Sequence, residues 1–89
     1  MTVVSIPCTG LVPDATITTV LNTFSPSTTT IPVGGTLKFT PTGFHDMTSD
    51  TGDFATPTNQ EACLQFTAAG SFPYHCSIHP FMTGTVTVQ

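Results

Sequence analysis

The chain has 89 residues, a formal net charge of −4 and one basic side chain, Lys38, against Asp14, Asp46, Asp50, Asp53 and Glu61. That length points to one domain, residues 1–89, whose modest core a disulfide or a metal would help to hold. With no basic patch, nucleic acid and anionic membrane surfaces are poor partner candidates. No apolar run reaches the length of a membrane span.

Thr is spread throughout, with Val and Ile between, and Pro and Gly punctuate the chain at short intervals. This reads as short strands joined by turns. The apolar start, 1–6, is too short for a signal peptide and lacks its basic leader. Met1 is compatible with an initiator placed where a leader was removed. A first strand is expected at 3–6, ended by Pro7, and a second at 15–21 after the turn signal Pro13-Asp14. Phe24-Ser25-Pro26 reads as a corner, because Pro26 cannot donate to a ladder. Residues 28–31 suit an edge strand, and Val33-Gly34-Gly35 a turn.

In 36–40, Leu37 and Phe39 share one face and Thr36, Lys38 and Thr40 the other. Pro41-Thr42-Gly43 ends that strand just before Phe44-His45. Residues 49–61 are polar and rich in turn formers, a long loop with room for one helical turn. In 62–67, Leu64 and Phe66 face one way, Cys63 and Gln65 the other. In 71–76, Phe72, Tyr74 and Cys76 lie opposite Pro73 and His75. Gly84 marks a return into a last strand at 85–88. The expected fold is an all-β Greek-key β-sandwich of about seven to eight strands.

The chemistry concentrates in Tyr74-His75-Cys76-Ser77-Ile78-His79-Pro80-Phe81-Met82. A thiolate, an imidazole and a thioether recur there at three-residue steps, Cys76, His79 and Met82. Alone, a Cys is most often a buried apolar residue and a Met core filler; the joint spacing is the specific signal. Copper is the first-row metal that takes all three, in a trigonal His₂Cys site with a weak axial Met. A second imidazole must come from elsewhere. Neighbouring strand residues point to opposite faces, so His75 turns away from Cys76 and His45 is the better candidate. Zinc fits less well, because Met is a poor zinc ligand and the other cysteines are distant. No His-x-His or Glu-x-x-His motif offers a second metal centre.

Three cysteines are an odd number. With Cys76 a ligand, Cys8 and Cys63 remain as a pair. A bridge between them would contribute roughly 4 kcal/mol by the chain-entropy model. It would imply an oxidising compartment, periplasmic or extracellular. The alternative is two buried free thiols.

These residues resemble those of the cupredoxins, the small blue copper proteins that include plastocyanin, pseudoazurin and amicyanin. The resemblance runs from about Phe24 to Val88. Phe24-Ser25-Pro26 leads to Ile31-Pro32-Val33-Gly34-Gly35-Thr36-Leu37; Phe44-His45-Asp46 carries the first His; Gly70 to Met82 carries the rest, followed by Gly84-Thr85-Val86. The Cys-x-x-His-Pro-x-Met loop is the short form, most similar to amicyanin. Asp46 stands where the family usually has an Asn that ties two ligand loops together, and Ile78 where amicyanin has Pro. The amides of Asp46 and Ile78 are therefore both expected to donate to the Cys76 sulfur.

The resemblance implies one copper ion held by His45, Cys76, His79 and Met82, and a monomeric one-electron carrier with no turnover of its own. It implies redox partners docking at an apolar surface around His79, Pro80 and Phe81. Three alternatives stand beside it: a copper-delivery domain, a domain of a larger exported protein or copper enzyme, and a sandwich with a vestigial site.

Overall fold

The structure, a computed structural model, describes residues 2–89, so Met1 and its reading as an initiator lie outside the described residues. Among the described residues, nine strands form two sheets. They are β1 (Val3–Ile6), β2 (Ala15–Val20), β3 (Thr23–Ser25), β4 (Thr28–Ile31), β5 (Thr36–Thr40), β6 (Thr48–Ser49), β7 (Ala62–Phe66), β8 (Gly70–His75) and β9 (Thr83–Val88). One sheet has the order β1-β7-β5-β2-β3, the other β4-β9-β8-β6. The sheets pack face to face as the expected all-β sandwich.

The period-two pattern decides which side chains meet between the sheets. Leu37 and Phe39 of β5, Leu64 and Phe66 of β7, Phe72 and Tyr74 of β8, and Val86 and Val88 of β9 are all buried. Aromatic rings dominate this core. Phe24 meets Tyr74 edge to face at 4.8 Å, and Phe66 meets Phe72 in the same manner at 5.2 Å. Each such ring removes on the order of 150–250 Å² from water.

Two strands are additions to the sequence reading. Phe24-Ser25 was expected as a corner, yet Thr23–Ser25 pairs antiparallel with β2. Its position at the sheet edge reconciles the two, since Pro26 follows the ladder and interrupts nothing. The polar stretch 49–61 begins with the last residue of β6, which pairs with β8 through Thr48↔His75 and Ser49↔Tyr74. Among the described residues it contains no helical turn.

Cys8 and Cys63 are disulfide-bonded. Ile6 pairs with Cys63 in the β1–β7 ladder, which carries Cys8, two residues on, over the outer face of β7. The bridge therefore pins the edge strand to its neighbour.

Candidate metal centre

Two strand ends build the site. β5 leads through Pro41-Thr42-Gly43 to His45, and β8 ends at His75, immediately before Cys76. The strands belong to different sheets, so the site bridges both layers of the sandwich. The Cys76 Sγ and one ring nitrogen each of His45 and His79 lie within 4.8 Å of one another. Sγ is 4.0 Å from Nδ1 of His45 and 3.8 Å from Nδ1 of His79. At ordinary metal–ligand lengths of about 2.0–2.3 Å, an N and an S on one ion stand about 3.8 Å apart across a trigonal angle. The donors are thus spaced for a common ion.

Backbone hydrogen bonds hold this spacing. Cys76 N–H donates to Met82 O at 3.0 Å, and Met82 N–H to His79 O at 2.8 Å, closing the loop on itself. The His45 segment is pinned from residues far along the chain. Asn59 N–H donates to His45 O at 3.0 Å, and Thr56 N–H to Met47 O at 2.9 Å. Met47 N–H returns a bond to Thr56 Oγ1 at 2.9 Å. Thr56 and Asn59 lie in the turn-rich loop, where nothing in the sequence marked them as supports.

Asp46 ties the two loops together with its side chain. Its carboxylate accepts from Ser77 N–H at 2.9 Å and from the Ser77 hydroxyl. It also accepts from Thr48 Oγ1 at 2.9 Å. The Cys76 sulfur is buried at the centre of this arrangement. Its near polar neighbours are the two imidazole nitrogens. Ile78 sits on the exposed outer side of the turn.

Burial grades the site from inside to outside. Cys76 is fully buried, Met82 and His45 are buried, and His79 is half-buried. The His45 and His79 rings lie 5.1 Å apart, and the His79 ring meets Phe81 edge to face at 5.9 Å. Phe44, Ile78 and Phe81 are exposed around them. Phe44 is an apolar neighbour that the sequence reading passed over.

His75 lies apart from this cluster, as strand parity requires. Its Nδ1 bonds Asp50 Oδ1 at 2.6 Å on the outer face. Tyr74, between the core rings, is buried with no hydrogen-bond partner for its hydroxyl. Burial pushes its phenol well above the ordinary 10.0.

A thiolate, two imidazoles and a buried thioether beside them are the donor chemistry of one type 1 copper ion. The fold and this donor set together resemble those of the cupredoxins. The particular likeness is to amicyanin: the chain is 53% identical to amicyanin of Paracoccus denitrificans over 30 residues, 34% of this chain and 23% of that protein. It is also similar to a copper-containing nitrite reductase (NirK) from Thermus scotoductus SA-01. That likeness has TM-score 0.79 and 31% identity over 88% of this chain and 22% of the other. An amicyanin variant in its reduced Cu(I) form matches over 100% of both chains, with TM-score 0.78 at 22% identity, a likeness of fold. The stretches matched to the curated amicyanin and to the nitrite reductase span less than a quarter of either. No protein-family model matches the chain.

Proposed function

We propose that residues 1–89 form a single copper domain that carries one electron at a time between protein partners. The observation that supports this is the convergence of His45, Cys76 and His79 donor atoms, within 4.8 Å, at a buried end of the sandwich. In this reading His45, Cys76, His79 and Met82 would hold the ion, which would supply a one-electron couple there. The chain supplies rigidity: hydrogen bonds close both ligand loops and the two sheets fix their separation, so little needs to move when the charge changes. Burial of Cys76, His45 and Met82 keeps water from the donors. The His79 edge, beside exposed Phe44, Ile78 and Phe81, is the port through which electrons pass, and partners dock there on apolar contact. The protein acts as a monomer in an exported location, periplasmic or extracellular, where its disulfide is stable.

Titrating the copper-free protein with Cu(II) tests this. One equivalent should produce an intense blue colour that ascorbate bleaches and an oxidant restores over many cycles. No colour at one equivalent would refute it, and copper lost on each reduction would favour a delivery role. A second reading, a domain of a larger copper enzyme, draws on the likeness to the nitrite reductase. Copper above one ion per chain, or nitrite turnover by an oligomer, would establish that instead.

A further inference from the structure

Asp46 is an acid in a place that does not need one for its shape. It is 3% exposed, follows His45 directly, and bonds Ser77, which follows Cys76. Its three donors, Ser77 N–H, the Ser77 hydroxyl and Thr48 Oγ1, are all neutral. The chain has one Lys or Arg, and that residue, Lys38, lies 3.4 Å from Glu61. No Lys or Arg remains to balance the Asp46 charge. Dipoles satisfy a carboxylate's lone pairs without cancelling its charge, and a buried charge without a partner is costly. An Asn would fill the same volume. Its oxygen would accept from Ser77 N–H and Thr48, and its NH₂ would donate to the Ser77 hydroxyl. The tie between the loops therefore does not explain the charge.

We infer that Asp46 is the counter-ion of the copper ion. With the Cys76 thiolate it supplies two negative charges, which balance Cu(II) and leave Cu(I) one charge in excess. Asp46 thus biases the couple toward the oxidised state. The inference rests on the copper reading proposed above. It also makes the copper-free protein the state in which Asp46 is a liability.

The test compares Asp46→Asn with Asp14→Asn, an equal change of net charge at the opposite end of β5, where Asp14 accepts from Thr36 N–H. In copper-loaded protein at a fixed redox poise, Asp46→Asn should raise the Cu(I)/Cu(II) ratio at least about tenfold, which is 59 mV for a one-electron couple. Asp14→Asn should change it less than about twofold. In copper-free protein Asp46→Asn should melt higher than the parent. A ratio shift no larger than the control's, or a copper-free variant melting no higher than the parent, would overturn the inference. The copper-free comparison decides the matter even if Asp46→Asn holds no copper. A parent that bound no copper would instead sink the carrier reading and leave that comparison intact.

Discussion

Replacing the disulfide by Cys8→Ser with Cys63→Ala removes a bridge across a sequence separation of 55. The chain-entropy model assigns such a loop about 4 kcal/mol of unfolded-state entropy. Cys63 is 1% exposed, so the smaller Ala adds a packing loss of about 1 kcal/mol. The total stability of a domain this size is about 4–13 kcal/mol at 0.05–0.15 kcal/mol per residue. The pair of substitutions thus removes about 40% of the stability at the upper end of that range and all of it at the lower end. At about 4–8 °C per kcal/mol for a small domain, the melting midpoint should fall on the order of 20–40 °C.

Thermal melts and urea titrations of the copper-free variant and parent measure this. The urea slope should also steepen, because the unbridged chain exposes more surface when unfolded. The bridge lies on the outer face of β7, so the blue colour of the folded, copper-loaded variant should be unchanged. A midpoint lowered by less than about 5 °C with an unchanged urea slope would refute the entropic account.

Two further outcomes follow from single side chains. The hydroxyl of Tyr74, the one tyrosine, is buried without a partner, so Tyr74→Phe should stabilise the protein by about 1 kcal/mol at neutral pH. Burial raises the phenol's folded-state pKa above its ordinary 10.0. Above that pH the unfolded chain releases a proton that the folded chain keeps. Stability then falls with rising pH by about 1.4 kcal/mol per unit. Denaturant melts from pH 9 to 11 should show that slope in the parent and lack its Tyr74 component in the variant; equal slopes would contradict it. Phe81 is 71% exposed beside His79, so Phe81→Asp should leave the blue spectrum and the fold intact. Its electron self-exchange, read from NMR line broadening, should slow about tenfold, a loss of about 1.4 kcal/mol in association. Val12→Asp, at a site 90% exposed, should slow it less, and equal effects would argue against the port at His79.

The sandwich was legible wherever a strand alternates cleanly. Leu37 and Phe39, or Phe72 and Tyr74, reveal a buried face because a pleated strand turns every second side chain the same way. The ligand loop was legible for a similar reason. Cys76, His79 and Met82 sit within one turn, so their spacing in sequence is nearly their spacing in space. The short strands were not legible: β3 and β6 are three and two residues long, and pairing with β2 and β8 rather than local preference makes them strands. The supports from Thr56 and Asn59 depend on contacts across a loop whose own composition signals only turns.

By itself, then, the sequence determined what is local: the donor types, the alternating faces, and the parity that turns His75 outward. Tertiary structure alone decided what is long-range. Elimination names His45 as the partner of Cys76 and Cys8 as that of Cys63, and the assembled sheets bring each pair together. The fold also bound the Asp46 carboxylate to Ser77, joining the two ligand loops. Strand parity and turn spacing follow from a few adjacent dihedral angles. The meeting of two loops depends on how both sheets stack, and no short stretch of residues encodes that stacking.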